Sequence, residues 1–305
     1  MLVDLQLVKG RIPFLQNAIE MEEIKKGYSF DKKYVVHNQD GQKYLLRTAT
    51  LDKLERKQAE FELLKEMKRL DVQTSKPIDI GKWEDMQLCY YILSFIEGKD
   101  AREALSGLTI KEQYTIGYTA GKDMAKINTY PAPASVEPWV ERIVKKHKRY
   151  LAAYATCGVE IRHVDKIQAF IDENIHYLNN RPNMLQHDDF HVGNLIVNER
   201  QYAGTVDFDR YDWGDPYFDF VKVGLFSSEV SVPFCKGQLS GYFGEEIPED
   251  FWRIYSIYMA MTIFSAVVWT VKESPHQIDE MMKRVNRILD EHGYFDNGTP
   301  VWFYN

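Results

Sequence analysis

Residues 184–220, MLQHDDFHVGNLIVNERQYAGTVDFDRYDWGDPYFDF, narrow the choice of fold more than any other stretch of the sequence. NLIV (194–197) and AGTVDF (203–208) are short apolar runs bounded by polar turn residues, the pattern of paired strands. The turn at 198–202 is short enough to make them antiparallel. Asn194 then opens the first strand and Asp207 closes the second, which brings both side chains to one end of the hairpin. Asp189 lies in the loop just before that end. Segments 101–127 and 137–178, and the chain after Pro216 to about residue 292, carry helical periodicity instead, with a break at YPAPAS (130–135). A hairpin embedded among helices is an α+β arrangement.

The N-terminal third has a different character. KYVVHNQDGQKYLLRT (33–48) alternates β-branched and aromatic residues around Asp40-Gly41, a pair that supplies the positive φ a tight hairpin turn needs. A helix follows over 52–70, with Leu54, Phe61, Leu64 and Met67 on one stripe, and QLCYYILSFIEG (87–98) is a strand stopped by Gly98. The boundary falls at Glu97–Gly98. The division is a β-rich lobe over 1–97 and a helical lobe over 98–305.

Ile254 to Val271 is uncharged and long enough to cross a membrane, but Tyr255, Ser256, Tyr258, Thr262, Ser265 and Thr270 interrupt it and no second span accompanies it. It reads as a buried core helix, and no membrane is expected. Cys89, Cys157 and Cys235 are widely spaced, without a CxxC pair, so neither a disulfide scaffold nor a zinc ribbon is expected. The beginning MLVDLQLVKGR lacks an export pattern, and the chain reads as cytoplasmic. With 38 basic and 45 acidic residues the net charge is −7, which argues against nucleic acid as a partner.

An amide oxygen beside a carboxylate offers hard-oxygen ligation suited to Mg²⁺, and a further carboxylate can orient a hydroxyl or accept its proton. That is the machinery of phosphoryl transfer. HDDFHVGN resembles the H-x-D-x-x-x-x-N catalytic loop of the protein-kinase-like superfamily, and VDFDR resembles its metal-binding segment. With GDPYFD at 214–219, the fuller pattern is similar to the aminoglycoside phosphotransferase and choline-kinase branch. The resemblance implies a bilobal kinase-like fold, ATP or GTP as phosphoryl donor, and Mg²⁺. It makes Asp189 the catalytic carboxylate and Asn194 and Asp207 the metal ligands. His187 and Asp219 would brace the loop, and Asp215 would cap the helix that follows.

For the nucleotide, the resemblance calls for a strand cation paired with a helix carboxylate. Arg47 stands where most relatives have lysine, which is not a neutral exchange. Glu60 is its chosen partner, because Leu63, Leu64 and Met67 stack with it at i+3, i+4 and i+7. The phosphate-covering loop, 25–36, has only Gly27, and Ser29 substitutes with its hydroxyl and amide. Ser94 and Ile96 lie in the hinge whose backbone reads the purine. Only eight residues separate Asp207 from Pro216, leaving no platform for a polypeptide, so a small molecule is the acceptor. Asp212, Glu229, Glu245, Glu246, Glu249 and Asp250, with nearby aromatics, would attract a cation, and the resemblance together with the −7 charge implies an aminoglycoside-like acceptor, with choline, homoserine, a macrolide or a modified sugar also open. Two other readings compete: a zinc hydrolase using His187 and His191, which needs a helix there, and a non-catalytic nucleotide-binding relic of a kinase.

Overall fold

The computed structural model describes residues 3–25 and 31–304. They divide into two compact units, 1–98 with 203–209, and 99–202 with 210–305.

The first unit contains α1 (Leu5–Arg11), β1 (Ala18–Ile24), β2 (Lys32–Asn38), β3 (Lys43–Thr50), α2 (Leu54–Arg69), β4 (Pro77–Trp83) and β5 (Leu88–Ser94). The five strands form one antiparallel sheet in the order β1-β2-β3-β5-β4. The β2–β3 turn is made by Asp40 and Gly41: Gly41 takes φ +80°, and Asp40 Oδ1 accepts from the amide of Gln42 at 3.0 Å. Alternation along the strands gives the sheet two faces. Val36, Tyr44, Leu46, Tyr90 and Ile92 pack with Val8, Ile12 and Leu15 in one core. The other face presents Arg47 in register with Lys33 on β2 and Tyr91 on β5. On α2, Phe61, Leu63, Leu64 and Met67 are buried, while Glu62 and Lys65 pair on its solvent face at 2.7 Å.

The second unit contains β6 (Lys99–Asp100), α3 (Ala101–Ala104), α4 (Ile110–Ile127), α5 (Trp139–Tyr154), α6 (Val164–Asn174), β7 (Met184–Gln186), β8 (Leu195–Asn198), β9 (Gln201–Thr205), β10 (Asp212–Gly214), α7 (Phe220–Lys222), α8 (Val232–Phe243), α9 (Phe251–Glu273) and α10 (Ile278–Glu291). Within β9 the chain passes into the first unit. The span expected as a core helix is α9, and 78% of its most apolar window is buried inside the protein. A helix apolar on all sides needs neighbours all round, and α5, α6 and α10 supply them.

Helices α4 and α8 touch backbone to backbone. A Cβ added at Gly117 would collide with the Phe234 carbonyl, and one at Gly237 with the Tyr114 carbonyl. Neither carbonyl can move without unpicking its own helix. Gly237→Ala is therefore expected to cost about 2–3 kcal/mol, at the upper end of overpacking penalties. A urea-unfolding midpoint equal to that of the unaltered protein would contradict this.

Candidate active site

In the first unit, burying Arg47 on a sheet face forces it to find carboxylates. Its guanidinium is 2% exposed and reaches Asp31 Oδ2 at 3.1 Å, Asp207 Oδ1 at 3.2 Å and Glu60 Oε1 at 3.6 Å. It also lies over the ring of Tyr91, whose hydroxyl donates to Glu60 at 3.2 Å. A second buried cation, Lys57, sits one turn before Glu60. Its ammonium contacts Asp31 and Asp209 at 2.6 Å each and Glu60 at 3.3 Å. Lys33, beside Arg47 on β2, donates to Asp207 Oδ2 at 3.0 Å.

The cluster thus joins three cations to Asp31, Glu60, Asp207 and Asp209. Burial opposes charge on Arg47 and Lys57, but the surrounding anions outweigh it and hold both groups above their ordinary pKa values. Burial raises the Glu60 carboxyl, while on Asp209 the pull of Lys57 and Arg47 overcomes burial and lowers it.

Asp207 and Asp209 reach this cluster because segment 203–209 is tied to the chain after α2. Thr205 donates its amide to Gln73 O at 2.9 Å, and Thr74 Oγ donates to Thr205 O at 2.7 Å. Gly204 makes this approach sterically admissible: a Cβ there would stand 2.8 Å from Gln73 O. Asp207 does not close a strand as expected. β9 ends at Thr205, and Asp207 takes φ +69°, which removes it from extended pairing while Arg47 and Lys33 hold its carboxylate. The hairpin turn is also shorter than expected. It comprises Glu199 and Arg200, both with positive φ, and Glu112 holds Arg200 through a pair of bonds at 2.6 and 2.7 Å.

In the second unit, residues 187–194 form a loop after β7, not a helix, which removes the helical spacing a His187–His191 zinc site requires. The buried Asp219 carboxylate braces this loop. It accepts from the amides of His187 and Asp188 at 3.1 and 2.8 Å and from Asn128 Nδ2 at 3.1 Å. Burial nevertheless pushes its pKa up to about 7. Asp215 caps the turn beginning at Pro216 by accepting from the Tyr217 amide at 3.1 Å, and Arg181 holds both its oxygens.

Asp189 is gripped from several sides. Lys222 Nζ lies 3.3 Å and His191 Nε2 3.4 Å from Oδ1, while Asn194 Nδ2 donates to Oδ2 at 3.0 Å. Burial works against ionisation, but Lys222, His191 and Arg210 overcome it and hold the carboxyl well below the usual range. Its neighbour Asp188 behaves differently. Burial raises that carboxyl, and Lys146 and Lys222 only partly offset it.

The remaining sequence candidates divide as follows. Ser94 ends β5 with its amide bonded to Lys76 O at 2.8 Å and its hydroxyl accepting from the Lys76 amide, so both groups are bonded to the residue just before β4. Ile96 packs toward Gly204, its Cδ1 within 3.0 Å of where a Cβ there would lie. Ser29 lies outside the described residues. Sequence reasoning missed Asp31, Lys33, Lys57 and Lys222. Lys57 carried a usable signal, since it falls on the same stripe as Leu54, Phe61 and Leu64. Lys222 follows Asp219 by three residues, one turn on, but its charge reads as surface until the fold is known.

The donor chemistry fits a magnesium ion. Asn194, in the second unit, donates its Nδ2 to Asp189 and carries an amide oxygen besides, and Asp207, in the first unit, carries a partly exposed carboxylate held by Lys33 and Arg47; these are donor types that Mg²⁺ prefers. Both donors are hard oxygen.

A family model described as the phosphotransferase enzyme family matches residues 20–253. No curated protein matches the sequence. Among solved structures, the gentamicin complex of APH(2'')-IIa is similar at a TM-score of 0.67 and 16% identity, covering 94% of this chain and 97% of that one. A thermostable mutant of the aminoglycoside phosphotransferase APH(4)-Ia, in ternary complex with ADP and hygromycin B, gives 0.65 and 15%, covering 92% and 97%. A GDP complex of a mutant aminoglycoside 2'-phosphotransferase-IIIa gives 0.66 and 15%, covering 96% and 98%. At these identities the likeness establishes a shared fold.

Proposed function

Because this chain belongs to the phosphotransferase enzyme family, we propose that it moves the γ-phosphoryl group of ATP or GTP to a hydroxyl of a small molecule, with Mg²⁺ accompanying the nucleotide. The observation that carries the reading is Asp189, an ionised carboxylate fixed by Lys222, His191 and Asn194 in a loop braced by Asp219.

In this mechanism Asp189 accepts a hydrogen bond from the acceptor hydroxyl and orients one oxygen lone pair toward the γ-phosphorus. The new O–P bond forms as the bond to the β–γ bridging oxygen breaks, and the nucleoside diphosphate departs. Lys222 and His191 stabilise Asp189 as the anion, so it chiefly positions the hydroxyl and takes its proton late. That suits a loose transition state in which the nucleophile needs little activation. Asn194 and Asp207 would hold Mg²⁺, which when bound would neutralise phosphate charge. Arg47 and Glu60 keep β3 and α2 in fixed relation, and Lys33 and Arg47 hold Asp207. The likeness to enzymes solved with gentamicin and hygromycin B supports a small-molecule alcohol as acceptor.

The competing reading, a nucleotide-binding relic, predicts binding without transfer. Calorimetric titration of ADP with and without Mg²⁺ tests the assignment of Asp207. In Asp207→Ala, binding in the presence of Mg²⁺ is expected to weaken at least tenfold, while binding in EDTA changes little. An unaltered magnesium dependence would remove Asp207 from the metal site.

A further inference from the structure

The charges around the catalytic loop do not suit a polyamine. Of the acids that sequence nominated for a cationic acceptor, Glu229 is bound by Arg284 at 2.9 Å and Arg102 at 3.1 Å, Asp250 by Arg181 at 3.2 Å, and Asp212 by Arg142. Glu245, Glu246 and Glu249 stand exposed between α8 and α9. The acids are therefore either neutralised or dispersed over solvent-facing chain.

Cations gather instead. Arg142, Lys145, Lys146 and Arg149 recur on α5 at i, i+3, i+4 and i+7, which places them on one face of the helix. With Trp139 and Asp212 they line an open cavity of about 440 Å³. Asp212 lies on β10 directly opposite Gln186, the last residue of β7 before the catalytic loop. Arg142 is bound to Asp212 and the Trp213 carbonyl, and Lys145 pairs with Glu137 at 3.2 Å. Among the described residues no carboxylate lies within ion-pairing distance of Lys146 or Arg149. Lys146 is half-buried against the ring of Phe218 at 5.5 Å and acts electrostatically on Asp188, next to Asp189. Two unneutralised cations on one helical face match the charge of a phosphate dianion better than that of a single carboxylate.

Resting on the phosphotransferase reading, we propose that the acceptor is an alcohol that already carries a phosphate monoester, held by Lys146 and Arg149 in the α5 cavity while its hydroxyl is presented to Asp189. The reaction would then add a second phosphoryl group to a phosphorylated small molecule. An amino-sugar acceptor would meet like charge at this face.

The test titrates the full chain, saturated with Mg²⁺ and ADP, with inorganic phosphate, acetate and hygromycin B. Phosphate is expected to bind at least tenfold more tightly than either of the others. That binding should weaken at least fivefold in Lys146→Met and in Arg149→Met, which keep the apolar stem, and should be unchanged in Lys148→Met, off the stripe. Urea midpoints confirm that the variants fold. Preference for hygromycin B or acetate, or phosphate binding indifferent to both stripe substitutions, would overturn the anionic acceptor and leave the phosphotransferase reading intact. Failure of the unaltered protein to bind ADP would instead count against that reading, and the acceptor proposal would fall with it.

Discussion

Asp189→Asn is expected to lower the rate of phosphoryl transfer about a thousandfold while leaving the affinity for the Mg²⁺-nucleotide within threefold. The amide matches the carboxylate in size but cannot take the hydroxyl proton, and groups in this role contribute about 10²–10⁴ in rate. The carboxylate also offsets Lys222, whose ammonium is 3.3 Å away. The single variant therefore strands a positive charge as well as removing the proton acceptor. Lys222→Met, alone and combined with Asp189→Asn, separates the two effects. If the lost rate reflects the stranded charge, the double variant recovers activity; if Asp189 positions the hydroxyl, it does not. Transfer by Asp189→Asn within tenfold of the unaltered rate would remove this residue from the reaction.

Arg47→Met is expected to destabilise the protein by about 3–5 kcal/mol, the usual consequence of deleting one member of a buried ionic cluster. The loss of a contact is the smaller part of the effect. Asp31 and Glu60 are almost fully buried, and among the described residues Lys57 is the buried counter-charge close to both that remains without the guanidinium. Arg47→Lys should restore part of the loss, because one ammonium cannot span carboxylates that the planar fork reaches at 3.1, 3.2 and 3.6 Å. Denaturant unfolding of the three proteins decides the matter. A midpoint for Arg47→Met corresponding to less than about 1 kcal/mol of lost stability would mean that the cluster rearranges around Lys57, contrary to the charge argument for buried sites.

Sequence periodicity was sufficient for the β2–β3 hairpin, α2, and the strand–loop–hairpin run after residue 184, because each depends on local geometry. Asp-Gly admits the turn, the stripe of Leu54, Phe61, Leu64 and Met67 needs a helix to align, and alternating apolar residues need a strand. The same logic selected Glu60, whose inward position follows from its stacking neighbours. It failed for the polar residues of that stripe. Lys57 is not legible as a buried residue because lysine is almost never buried without paired charge, and its partners Asp31 and Asp209 come from 26 residues before and 152 residues after it. Asp207 reads as a strand end because pattern alone does not reveal a positive φ held by distant cations.

The order and types of the catalytic-loop residues, the hydrophobic stripes and the turn chemistry were written in the chain itself, since each is a relation among residues a few positions apart. The identity of the charges that neutralise one another was settled only by folding. Coulombic partners are chosen by proximity in space, and whether Arg47 lies among carboxylates, or Lys146 and Arg149 stand without one among the described residues, depends on which segments the packed backbone brings within a few ångströms.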